Sequence, residues 1–361
     1  MKNLFFLAFI GLCFSCSERA GDSRPPATGL PGDMYLIMDS AQWKGSLGRL
    51  IDTTFTRDME VLNRSEPIFH MRWVDPRKLN FVLKQRRNLI FAVTLDKNSL
   101  GAKRVKGMFT QQSVDRIKKD TSFFLTTATN LFAKGQEVMF LVGADEEALI
   151  KKIARNPSLL TTHFDKAEHT RLGASLFKAG QMKGITELMH KNYGVEMKIP
   201  FGFELVMNNK EFLWARQINQ KDDKDIFITR KPYRSKEQFT RDSLIQFRND
   251  ICKKYLFGNP EKSESYLVTE TGVSFKPVLT KETSFNGKYA MEMRGLWRTN
   301  NVTMGGPFVS YTMVDEKQGM LYYIEGFTYA PGREQREIMR ELESILSTFK
   351  LSDEVTPVAA K

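Results

Sequence analysis

The chain has 361 residues, 41% of them hydrophobic and 11% aromatic, and a formal charge of +12. That is enough apolar material for a sizeable core and a length that points to two domains. The basic surplus is scattered among Asp and Glu, and its densest clusters, KQRR (84–87) and KRVK (103–106), come with no recognition module, which argues against nucleic acid as a partner.

At the N-terminus, Met1-Lys2-Asn3 forms a short positive segment before the apolar run from Leu4 to Leu12. Nine residues rise about 14 Å as a helix, far short of a ~30 Å hydrocarbon core, so the run reads as a signal peptide. Cys13 and Cys16 follow it. A redox or zinc pair belongs on a folded scaffold with partners, and this pair sits in a removable segment. With Cys16 as first mature residue, small Ser15 stands at −1, whereas Cys13 would follow bulky Leu12. The frame resembles a bacterial lipoprotein box, departing from it in having Cys13 at −3, and implies lipidation (palmitate class) of Cys16. Residues 17–33, SERAGDSRPPATGLPGD, lack apolar periodicity and read as a flexible tether. The expected plan is a signal peptide over 1–15, a tether over 16–33, domains over 34–190 and 191–350, and a loose tail over 351–361. The mature chain keeps only Cys252 besides Cys16, so no intramolecular disulfide is expected.

MYLIMD (34–39), IFHMRWV (68–74), NLIFAVTL (88–95) and EVMFLVGA (137–144) read as strands. Ser40 is a candidate cap for a helix over AQWKGSLGRLIDTTF, and Asp75-Pro76 opens a second over DPRKLNFVLKQ. DEEALIKKIARN, SLLTTHFDKAEHTRLGASLFKAG and MKGITELMHKNYG continue as helices, the last ending at Gly194. Beyond Pro200 the texture turns to strands: EMKIPFGFELV, EFLWARQIN and DIFITRKPY. An amphipathic helix capped by Ser235 covers 235–256. GVSFKPVLTKET, GKYAMEMRGLWRT, GPFVSYTMVD and GMLYYIEGFTYA then form a meander. A last helix carries Ile338, Leu342, Ile345, Leu346 and Phe349 on one face. The fold class is α+β: two sandwich-like α/β domains with largely antiparallel sheets.

No metal site or catalytic motif stands out. His70, His163, His169 and His190 have no ligand spacing, and neither a GxSxG, a P-loop nor a dinucleotide fingerprint appears. Glu168-His169 suits a surface pair better than a dyad, and Cys252 a packing residue better than a nucleophile. No cofactor is expected. The most unusual stretch is RGLWRTNNVTMGGPFVSY (294–311), read as a hairpin connection or as a ligand groove. In the groove reading Arg294 pairs with an anion, Trp297 or Tyr311 offers a stacking face, and Met304, Gly305 and Gly306 let a ligand approach the backbone.

Six motifs carry a resemblance over nearly the whole mature chain: RGLW…MGGPFVSY, EGFTYAP (325–331), SEPIF (65–69), RRNLIF (86–91), QFRND (246–250), and Trp43 with Gly48. In this order they are similar to an uncharacterised family of Bacteroidota lipoproteins classed as a domain of unknown function. The family usually has Arg-Asp where this chain has Arg248-Asn249-Asp250. The C-terminal half also resembles, faintly, the antiparallel sandwich of PsbP-type binding and assembly factors. The resemblance implies an envelope lipoprotein without assigned activity. The expectation is a lipid-anchored, non-enzymatic binding or assembly factor with an envelope protein or glycan partner, in the outer membrane facing the periplasm. The alternative is a hydrolase or transferase acting on envelope glycans or lipids, with its site between the domains.

Overall fold

The structure, a computed structural model, describes residues 22–355 apart from 121, 221, 260 and 274–275. The leader, Cys13 and Cys16 lie outside the described residues. In the first half, chain order is β1 (Asp33–Ile37), α1 (Ser40–Lys44), α2 (Ser46–Thr56), β2 (His70–Val74), α3 (Phe81–Lys84), β3 (Asn88–Thr94), α4 (Leu100–Lys106), α5 (Gln111–Lys119), β4 (Leu125–Thr129), β5 (Glu137–Gly143), α6 (Glu146–Arg155) and α7 (Pro157–Leu176). The sheet order is β2-β1-β3-β5-β4. Four of these strands are parallel and only β4 runs against its neighbour, which corrects the expectation of largely antiparallel sheets for this half. The cause is the connection: helical crossovers return the chain to the same end of the sheet, where hairpins would reverse it. Helices then cover both faces, so β3 is buried along its whole length. Phe55, Phe69 and Phe164 meet edge-on beneath α2 and α7, while Ala102, Val105 and Ile117 bring α4 and α5 against Phe91 and Phe140 on the opposite face.

The second half runs α8 (Lys183–Tyr193), β6 (Glu204–Asn208), β7 (Phe212–Ile218), β8 (Asp223–Pro232), α9 (Arg241–Tyr255), β9 (Phe257–Asn259), β10 (Lys262–Thr269), β11 (Leu279–Phe285), β12 (Lys288–Thr299), β13 (Gly305–Asp315), β14 (Met320–Tyr329) and α10 (Arg336–Leu346). Its nine strands form one sheet, β6-β7-β8-β14-β13-β12-β10-β9, with β11 also on β12, and its pairs are antiparallel as hairpin connections require. One face lies under α9, where Leu244, Cys252 and Tyr255 meet Phe212, Phe227, Phe308 and Phe327. The other lies under α10, whose Ile338, Leu342, Ile345 and Leu346 are all buried as the periodicity required, together with Phe349 just beyond its end. The α+β class holds in both halves.

Local departures have local reasons. The first helix breaks at Gly45 and is capped by Asp39, not Ser40; the restart lets Gly48 pass so close to Trp43 that a Cβ would lie 2.1 Å from its carbonyl oxygen. The helix expected over 75–85 splits into a single 3-10 turn, Pro76–Lys78, and α3, each capped by its own Asp75 or Asn80. Helix α8 packs through Ile185, Met189 and Tyr193 into the second core, not the first. The tether is pinned earlier than expected: Pro26 bridges Lys134 and Thr28 bridges Arg86. The tail is held through 351–354, with Leu351 buried and Ser352 donating its N–H to Asp315 at 3.0 Å.

Candidate functional site

The groove expected over 294–311 is divided by the sheet. Strand β12 is continuous, so Arg294 and Trp297, three residues apart, project to opposite faces. Arg294 and Tyr311 lie on the α10 side. Arg294 donates to Glu292 and to Glu343, both at 2.6 Å. Tyr311 sits opposite Glu292, and burial pushes its hydroxyl well above the ordinary tyrosine range. Gly305 and Gly306 serve the chain's own backbone. A Cβ at Gly306 would lie 1.9 Å from Thr328 O, and one at Gly305 2.8 Å from Trp297 O. Neither adopts positive φ; in that turn Val302 does, at 60°.

Trp297 and Met304 remain together on the α9 side, in a pocket of about 80 Å³. Trp214, Leu256, Phe257, Leu267, Phe327 and Tyr329 complete its apolar wall, and Arg216 and Asp225 supply charge. Trp297 is fixed by an Nε1 bond to Thr328 O at 3.2 Å and by edge contact with Phe327. Asp225, 2% exposed, accepts from Trp214 Nε1 at 2.8 Å and lies 3.3 Å from Arg216 Nε, whose Nη2 bonds Asp223 at 2.7 Å. Burial pushes its carboxyl up to about 7, with Arg216 and Trp214 pulling the other way. The site therefore combines aromatic walls, one cation and one carboxyl that changes charge near neutral pH. Its volume suits a group the size of one side chain, well below the roughly 300 Å³ at which small-molecule pockets begin. Sequence reading missed Trp214, Arg216 and Asp225. The signal was the alternation in EFLWARQIN, which puts Trp214 and Arg216 on one face, next to a partner strand no local pattern identifies.

The seam between the halves gathers the remaining titratable groups. Glu66 accepts the N–H groups of Gln335 and Arg336 at 2.8–2.9 Å, a carboxylate capping the start of α10 from the other half. Arg340 reaches Ile68 O at 2.9 Å and Asp165 at 3.1 Å, and its guanidinium lies 5.0 Å from the Phe69 ring. His169 bonds Ser344 through Nδ1 at 3.0 Å and lies 3.5 and 3.4 Å from Asp165 and Glu343. Burial opposes its charge, but Asp165 and Glu343 prevail and its pKa is raised. Glu168 points elsewhere, pairing with Arg87 and Arg171 at 2.9 Å and with Asn88 at 2.7 Å, so Glu168-His169 is neither a surface pair nor a dyad. Cys252 is fully buried, and burial pushes its thiol up to about 12, as a packing residue requires.

These features define a two-part α+β protein with a small aromatic pocket in its second sheet. Residues 183–348 match the family model described as a domain of unknown function (DUF4837), and residues 27–177 match a second such model (DUF8532). No curated protein matches the chain in sequence. Among solved structures, a point mutant of the protein Mog1 is 9% identical, covers 44% of this chain and 91% of its own, and superposes with a TM-score of 0.29. The Saccharomyces cerevisiae Ran-binding protein Mog1p gives 9%, 44%, 90% and 0.29. Likeness at that level sets neither fold nor function here.

Proposed function

We propose that the protein is a lipid-anchored envelope lipoprotein of the Bacteroidota type, acylated at Cys16 and facing the periplasm from the outer membrane, that acts by binding rather than catalysis. The observation that carries the binding reading is the pocket of Trp214, Trp297, Met304 and Asp225, sized for one protruding apolar group of an envelope partner. Arg216 at its rim and the near-neutral carboxyl of Asp225 would make such binding selective for a group with a polar edge and sensitive to pH. The anchor reading is supported by the apolar run, Ser15 and Cys16 in the sequence.

A photo-crosslinking residue at Tyr329 in cells tests the pocket. The expected result is one discrete envelope adduct that disappears when Met304→Trp fills the cavity. If Met304→Trp leaves the adduct in place and fully complements a deletion strain, the pocket reading fails. For the anchor, Cys16→Ser should release the protein from membranes and Cys13→Ser should not.

A further inference from the structure

The chain joins its folded body along one rim of the first sheet. Lys134 donates its N–H to Pro25 O at 2.8 Å, Ala27 N returns a bond to Lys134 O at 2.8 Å, and Thr28 N donates to Gln85 O at 2.8 Å. Arg24 also donates to Asn130 O. Next to the residues that hold this entering segment, Lys84 at the end of α3 and Leu131 and Phe132 in the loop between β4 and β5 wall a concavity of about 580 Å³. Leu79, Met108, Phe132 and Phe140 form its apolar floor, and Lys84 and Arg104 are its charged lining residues; among the described residues no carboxylate lines it. Lys84 Nζ lies 5.5 Å from the Phe132 ring centroid, and Arg104 donates to Arg77 O at 2.7 Å.

Large apolar side chains stand exposed on the same segments: Phe81 at 72%, Val82 at 56% and Leu131 at 39%. Phe81 precedes Lys84 by one helical turn, and exposed Lys134 follows Leu131 by three residues. Apolar side chains with interspersed Lys and Arg, and no acid in the lining between them, are what a bilayer interface selects: the rings enter the headgroup layer and the cations meet anionic lipid.

We propose that this face, carrying Phe81, Val82, Leu131, Lys84, Arg104 and Lys134, rests on the surface of the membrane that holds the anchor. The proposal builds on Cys16 being acylated. Five residues separate Cys16 from Asp22, six Cα-to-Cα steps with a reach of at most about 20 Å, so the anchor keeps the rim beside the headgroups. The apolar contact then sets the orientation of the body, leaving the pocket of Trp297 in the other half for a partner.

The test uses the acylated full chain in vesicles of phosphatidylethanolamine with a minor fraction of phosphatidylglycerol, some lipids brominated. In a Cys252→Ser background a fluorophore is placed at Val82→Cys or, as a control on the second sheet, at Ile218→Cys. The expected result is quenching at residue 82 and not at 218, abolished by Phe81→Glu with Leu131→Glu. Equal quenching at both positions, or none at 82, while the protein stays on the vesicles overturns the proposal and leaves the anchor intact. The Cys16→Ser chain reads the face without the anchor. It should sediment weakly with the same vesicles, fall off with salt, and bind about 30-fold more weakly with Lys84→Gln and Arg104→Gln. Sedimentation that is absent, or indifferent to those charges, also overturns it. Because these substitutions lie at the surface, an unchanged thermal melt separates lost contact from lost folding.

Discussion

Replacing Arg248 by methionine removes the guanidinium of a fully buried ion pair. Arg248 and Glu325 are both 0% exposed. Arg248 donates from Nε and Nη2 to the two carboxylate oxygens at 2.8 and 2.7 Å, and from Nη1 to Thr269 Oγ1 at 3.1 Å, while its guanidinium lies 4.0 Å from the Phe308 ring. Without it, Glu325 keeps only the Tyr323 hydroxyl as a side-chain donor. Breaking such a pair from one side costs about 3–5 kcal/mol, since the surviving charge stays desolvated, and for a domain of this size that lowers Tm by roughly 6–20 °C. Burial already raises the Glu325 carboxyl beside Arg248, and loss of that counter-charge raises it over a further interval. The deficit therefore grows as pH rises through that interval and shrinks as pH falls toward about 4. Urea titrations followed by tryptophan fluorescence at several pH values measure this directly. The double variant Arg248→Met with Glu325→Leu should recover most of the loss, and the pH-dependent part of the deficit should vanish, because two apolar side chains replace two compensating charges. A single variant within about 1 kcal/mol of wild type, or a double variant no better than the single, would refute the reasoning.

Gly306→Ala forces a methyl against Thr328 O and should cost about 1–3 kcal/mol in the same titration, with Gly287→Ala giving a smaller loss that arises from its φ of 82° and not from a clash. Asp225 has a folded pKa raised to about 7, so its neutral form is favoured and stability falls as pH rises from about 4 through 7; Asp225→Asn should flatten that part of a Tm-versus-pH curve. For His169, whose folded pKa is raised, the contribution is complete below about pH 6.5 and is lost as pH climbs through the raised value; His169→Gln should remove that alkaline loss of stability, read from melts between neutral pH and pH 9. Native protein should resist alkylation of Cys252 by N-ethylmaleimide and react only after denaturation, as intact-mass measurement would show.

Where period and turn chemistry act locally, the chain could be read directly. The β12–β14 meander and the buried stripe of α10 follow from alternation and helical spacing alone. Strand direction in the first sheet was misread as antiparallel, although helical sequence separates each strand there from the next parallel one and a crossover, not a hairpin, spans that distance. The β9–β10 hairpin was missed because β9 has only three residues and β10 opens on the polar run KSES, which resembles a loop until β12 pairs with the strand's far end.

The groove failed for a reason that was visible: residues three apart on one strand do not share a face, so Arg294 and Trp297 never had a common ligand in a continuous β12. What no local rule supplies is the destination of each face. Arg294 meets Glu343 forty-nine residues away, and Glu66 caps a helix 269 residues further on. SEPIF and RGLW thus belong to the same seam, one capping α10 and the other pairing with it. Glu66 reaches α10 from the other half and Arg294 reaches it from β12, and truncating one partner at such a buried contact leaves the other stranded in low dielectric. The pocket around Trp297 sits outside that seam, on the α9 face of the second sheet, with the carboxyl of Asp225 raised to about 7 by burial and Arg216 in its lining.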